Sequence, residues 1–165
     1  MGLLSFIKEA GEKLFHKGAA KAAIAEAQAD PAAEDKAKAA SDAAADAIVT
    51  YIHALDLDAT GLLVTYDAGS GGVTVFGVAP DQTTREKIVL CCGNVAGVSS
   101  VNDMMSVDQS AEEATFYTVV AGDNLSKISK AFYGNANEYM KIFEANRPML
   151  THPDKIYPGQ MLRIP

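Results

Sequence analysis

The chain has 165 residues, an apolar fraction of 48% and a formal net charge of −7 at pH 7. That length holds one ordinary domain or two small ones. The negative charge is spread over many Asp and Glu with no Lys/Arg-rich run, which argues against nucleic acid and anionic membrane as partners and leaves a mild attraction for cations.

The N-terminus, "MGLLSFIKEAGEKLFHK", sets Leu3, Leu4, Ile7, Ala10 and Leu14 three and four positions apart, with Lys8, Glu9, Glu12 and Lys13 between them. This spacing predicts a short amphipathic helix over residues 1–16. Gly11 predicts a stop or kink, since glycine costs about 1 kcal/mol relative to alanine inside a helix. Lys8 and Glu9 interrupt the apolar residues, so no export signal is expected. Phe6 stands where a myristoylation motif needs Ser or Thr. A face this short with balanced charge is expected to dock on its own protein rather than on a membrane. From Lys17 to Asp42 alanine dominates. Alanine favours helix but buries little, which predicts a semi-rigid spacer, with Asp30 and Pro31 opening a second helical piece.

Residues 43–108 regain periodicity. "DAIVTYIHAL" places Ile48, Tyr51, Ile52 and Leu55 on one helical stripe. "GLLVTYD" and "GVTVFGVAP" read as strands joined by the turn residues Ala68, Gly69, Ser70 and Gly71. "DQTTREKIVLCCG" reads as a helix opened near Asp81 and closed at Gly93, and "GVSSVNDMMSV" as a last strand. Helix, strand, strand, helix, strand is the order of an α+β layer with helices on one face of a small sheet. Cys91 and Cys92 are the only cysteines. Adjacent positions on a helix point about 100° apart, too strained for a mutual disulfide, and two ligands are too few for zinc, so both are expected to be reduced core thiols.

A polar linker over residues 109–115 leads to the final segment, 116–165. It opens with "FYTVV" and the turn "AGDN", in which Asp123 or Asn124 can cap a helix carrying Leu125, Ile128 and Phe132. A second helix carries Tyr139, Met140, Ile142 and Phe143, and "KIYPGQMLRIP" closes as a strand around the Pro158 and Gly159 turn. The expected plan is strand, helix, helix, strand. No run anywhere approaches the roughly 18 apolar residues of a spanning helix.

Two family resemblances rest on these residues. The Gly61 to Pro80 strand pair, the helix ending in Gly93 and Asn94, and "VSSVNDMMSV" resemble the BON domain over Ser41 to Asp108. "YTVVAGDNLSKISK", "IFEAN" and "IYPGQMLRIP" resemble a LysM domain along its whole length. The LysM resemblance implies a shallow groove for N-acetylglucosamine-containing glycan, between Gly122, Asp123, Asn124 and Leu125 on one side and Ile156 and Tyr157 on the other. Asn124 departs from the common "GDTL". Asp123 is either a sugar contact or a helix cap, and Tyr157 either stacks on a sugar or packs on the second helix.

The combination, behind "MGLLSFIKEAGEKLF", is similar to the Kbp-type family of cytosolic bacterial potassium-binding proteins. The Lys17 to Asp42 insert looks longer than the family's corresponding region. That resemblance implies selective K⁺ binding in a cytoplasmic, monomeric sensor of the stress response, more compact with the ion bound, and it leaves the sugar groove unused.

Selection of K⁺ over Na⁺ is generally achieved by neutral carbonyl oxygens. Such oxygens are left unpaired where helices end, and the helix dipole makes that end negative. The expected donors are the carbonyls of Ile7, Ala10 and Glu12 beside Gly11, and of Gly93, Val95 and Gly97 in the "GNVAG" loop, with the first segment docked against the second. His16, His53 and His152 fall in three separate segments without metal spacing, and no carboxylate pair or nucleophile with its base is evident, so no enzyme is expected. The alternatives are a peptidoglycan-binding module at the envelope and a scaffold for other proteins.

Overall fold

Alanine's helix propensity decides the first element. In the computed structural model, which describes residues 34–165, helix α1 runs unbroken from Glu34 to Ala54. The spacer predicted to end at Asp42 therefore continues into the helix predicted from Asp46, because nothing between them breaks the backbone. Burial sets in at Ala44 and Ala45 and continues through Ile48 and Ile52, four residues apart on one stripe. The predicted helix over 1–16 and the Asp30/Pro31 joint lie outside the described residues. Those described fall into two units, 34–111 and 112–165.

In the first unit β1 (Thr60–Asp67) pairs antiparallel with β2 (Gly72–Asp81), and β2 pairs parallel with β3 (Ser100–Gln109). Parallel neighbours need a crossover, and helix α2 (Gln82–Gly93) supplies it. Asp81 caps α2 as expected, its Oδ1 accepting the Thr84 N–H at 2.7 Å. Val64, Tyr66, Val73, Val75, Val101 and Met105 are buried, with α1 packed on β1 and α2 on β2 and β3. Leu63, Phe76 and Met104 stand in register across the three strands and are exposed.

Helix α2 also buries polar groups. Arg85 Nε lies 2.9 Å from Asp103 Oδ2 on β3, and Asp103 Oδ1 accepts the Met105 N–H at 2.9 Å. Gln82 Nε2 donates to the buried Glu86 at 2.8 Å.

Cys91 and Cys92 are free and fully buried on the same helix. Burial pushes the Cys92 thiol up to about 12 from an ordinary value of 9.0, and it pushes Cys91 well up too. The folded state therefore holds these protons more tightly than the unfolded chain. Stability is complete below the ordinary thiol value and falls as pH rises from there towards about 12. The slope is about 1.4 kcal/mol per pH unit for each thiol. Thermal unfolding at graded alkaline pH is expected to show this decline, and Cys92→Val is expected to flatten it. An aromatic disulfide reagent at neutral pH is expected to react only once denaturant opens the unit.

The second unit pairs β4 (Thr115–Thr118) antiparallel with β5 (Met161–Ile164), around α3 (Leu125–Tyr133), a 3₁₀ turn (Ala136–Glu138) and α4 (Tyr139–Ala145). Its core is Val119, Leu125, Ile128, Ile142, Leu150, Leu162 and Ile164. Of the apolar residues on the two helices, Phe132 and Met140 are 41% and 43% exposed. The inward stripe of α3 is Leu125, Ile128 and Ser129, whose hydroxyl donates to the Asn135 carbonyl at 2.6 Å. Phe132 instead meets Tyr117 edge-on at 5.6 Å.

Candidate ion loop and sugar groove

Helix α2 ends by a tight reversal. The Asn94 N–H donates to the carbonyls of Leu90 and Cys92, Val95 N–H to Cys92, and Val98 N–H to Val95 at 3.1 Å. Val95 and Val98 are buried and anchor the loop. Gly97 has φ of +95°, in the region that favours glycine, and lets the chain turn back into β3. No hydrogen bond to the Gly93 carbonyl is made among the described residues. A carbonyl that accepts one bond, as Val95 does, keeps a second lone pair.

The predicted donors Gly93, Val95 and Gly97 thus belong to one loop at the negative end of a helix. Ile7, Ala10 and Glu12 lie outside the described residues. Among the described residues no group of three or more His, Cys, Asp or Glu could hold a metal ion. What the loop carries is neutral backbone oxygen, the donor type of K⁺ selectivity filters, rather than the carboxylate clusters that favour Mg²⁺ or Ca²⁺.

In the second unit the two sides of the predicted sugar groove adjoin. Val119 donates to the Gln160 carbonyl at 2.9 Å and accepts from the Gly159 N–H at 2.8 Å, which ties the turn after Tyr157 to the strand leading to Gly122. Asn124 is the helix cap, its side chain accepting the Lys127 N–H at 2.8 Å. Asp123 closes the preceding turn instead: one of its carboxylate oxygens takes the Tyr117 hydroxyl at 2.7 Å and the Val120 N–H at 2.9 Å. The Tyr117 hydroxyl is held protonated above its ordinary range chiefly by that bond.

Of the residues predicted to line that groove, Leu125 and Tyr157 are buried. Burial raises the Tyr157 hydroxyl to about 12. Gly122 and Asn124 are exposed, and Asp123 and Ile156 half-buried.

Sequence reasoning missed Arg85, Asp103 and Asn146. Asn146 is 1% exposed. Its amide donates to the carbonyls of Ile142 and Arg163, each at 2.7 Å, and its oxygen accepts the Arg163 N–H at 2.8 Å. The "IFEAN" motif marked the position without revealing this role.

The chain matches the BON domain family over residues 41–109 and the LysM domain family over residues 117–165. It is thus a two-domain protein built from a BON and a LysM module. Over 165 residues it is 43% identical to the potassium binding protein Kbp of Escherichia coli O6:H1, covering 100% of this chain and 99% of that one. The chain belongs to the Kbp family. It is also 44% identical over 82 residues to an uncharacterized protein of Deinococcus radiodurans, covering 43% of this chain and 32% of the other. No described helix is long and apolar enough to cross a membrane.

Proposed function

We propose that this protein is a potassium-binding protein of the cytoplasm, a sensor rather than an enzyme. Backbone carbonyls of Gly93, Val95 and Gly97 and of Ile7, Ala10 and Glu12 hold the ion, and the protein becomes more compact when it binds. The observation that carries this reading is the likeness over the whole chain to a protein named for binding potassium. The loop after α2 supports it, with carbonyl oxygens at a helix end and glycine at two of its five positions, residues 93–97. An ion shared by two distant pieces of chain is bound by the folded state alone, which accounts for both compaction and stabilisation.

Thermal unfolding in KCl, NaCl and choline chloride at one ionic strength tests the reading. At a hundredfold excess over Kd, K⁺ is expected to add about 2.7 kcal/mol, roughly 5–10 °C for a chain of this size. Na⁺ and choline are expected to leave the curve in place. Deleting Met1 to Lys13 is expected to abolish the difference, whereas Glu12→Ala, which keeps the backbone, leaves it intact. Superimposed curves in all three salts would sink the proposal.

The alternative, peptidoglycan binding, draws support from the LysM match and from the exposed Gly122 and Asn124. Against it stand a buried Tyr157 and an Asp123 carboxylate engaged within its own turn. Retention on purified peptidoglycan, lost on changes at Gly122, would favour it.

A further inference from the structure

The β1–β2 turn reaches the ion loop at its far end. Gly71 has φ of +68°, and its carbonyl accepts the Ser99 N–H at 2.8 Å. A Cβ on Gly71 would lie 2.6 Å from Ser99 Oγ and 3.2 Å from the Gly97 carbonyl oxygen. The turn is braced from within. The Asp67 carbonyl accepts the Gly71 N–H at 2.8 Å, while its carboxylate accepts the Gly69 N–H at 3.0 Å and the Ser70 hydroxyl at 2.6 Å. Ser70 Oγ also accepts the Gly72 N–H at 3.2 Å. Beyond these contacts β2 and β3 enter register together at Gly72 and Ser100.

We infer that this turn is the positioning element of the ion site: Gly71, which supplies no ligand, sets where the Gly97 carbonyl stands and so governs K⁺ affinity and selectivity. The inference rests on the reading of the Gly93–Gly97 loop as the donor set. Its physical basis is that carbonyl-based selection depends on the number and placement of the oxygens. Any side chain at Gly71 meets the Gly97 oxygen at a separation tighter than ordinary contact, so the carbonyl must shift. The left-handed backbone at Gly71 adds strain for most residues, though Asn tolerates it. Gly71→Asn therefore separates the two effects, relieving strain while keeping the Cβ.

The test uses the full chain. K⁺ and Na⁺ titrations by calorimetry on folded protein give affinity, unfolding in choline chloride gives ion-free stability, and amide exchange at Ser99 reports the clasp. Gly71→Ala and Gly71→Asn are expected to bind K⁺ at least about tenfold more weakly, with a smaller preference over Na⁺. Ser70→Ala, an exposed and uncharged change, loosens the turn; about threefold weaker binding and faster Ser99 exchange are expected. Wild-type K⁺ affinity in folded Gly71 variants would overturn the inference while leaving the potassium reading intact. If the Gly71 variants do not fold, Ser70→Ala decides: unchanged affinity overturns the inference and weakened affinity upholds it. A wild-type protein without K⁺ preference removes both.

Discussion

Asn146→Ala is expected to unfold the 112–165 unit while the first unit keeps its structure. The side chain bridges the end of α4 to β5 by three hydrogen bonds, and it is 1% exposed. Alanine removes both bonds to Arg163, whereas the Ile142 carbonyl keeps the backbone N–H of residue 146 at 3.2 Å. Losing a buried hydrogen bond of this kind costs about 1–3 kcal/mol, so the two together cost roughly 2–5 kcal/mol. A unit this small has little stability to spare. Asn146→Asp offers no escape: it can still accept from Arg163 but cannot donate to either carbonyl. The expected result is collapse of the amide-signal dispersion for residues 112–165 in a proton–nitrogen NMR spectrum. Retained dispersion with a melting temperature close to wild type would contradict this role for Asn146.

Arg85→Ala is the matching experiment in the first unit. The Asp103 side chain is 0% exposed and that of Arg85 13%. Removing the guanidinium leaves a buried carboxylate held by the Met105 N–H. Breaking one half of such a pair costs about 3–5 kcal/mol, whereas replacing both halves with apolar residues of similar size is often neutral. Arg85→Ala is therefore expected to lower the denaturant midpoint of this unit sharply, and Arg85→Met with Asp103→Leu to restore much of it. A double variant no more stable than Arg85→Ala would show that the polar pair itself is needed there. The pair clamps α2 to β3, the two elements between which the candidate ion loop runs.

The strands are legible in the sequence because Val64 and Tyr66, and Val73 and Val75, alternate with outward residues, and a period of two is the signature of a half-buried strand. The helix capped at Asp81 is legible because its cap and first turn are neighbours in sequence. Other features depend on partners far along the chain. Arg85 and Asp103 are 18 residues apart, and Asn146 and Arg163 17. In the sequence each looks like an ordinary surface residue. Phe132 and Met140 are exposed for a related reason: in so short a unit the inner stripe is narrow, and their side chains fall outside it.

What the sequence determined by itself was the two-module plan, the order of the elements, the cap at Asp81, and the loop whose carbonyls are the candidate donors. All of these follow from propensity, periodicity and backbone freedom within a few residues. Only the tertiary structure decided that Gly71 stands against Gly97, that Asn124 and not Asp123 is the cap, that Asp123 is used inside its own turn, that Tyr157 is buried, and that Arg85 and Asn146 each join a helix to a strand. Each of those outcomes depends on strand register and on how a crossover helix lands on its sheet. Those quantities are set by packing between distant segments, which local composition does not encode.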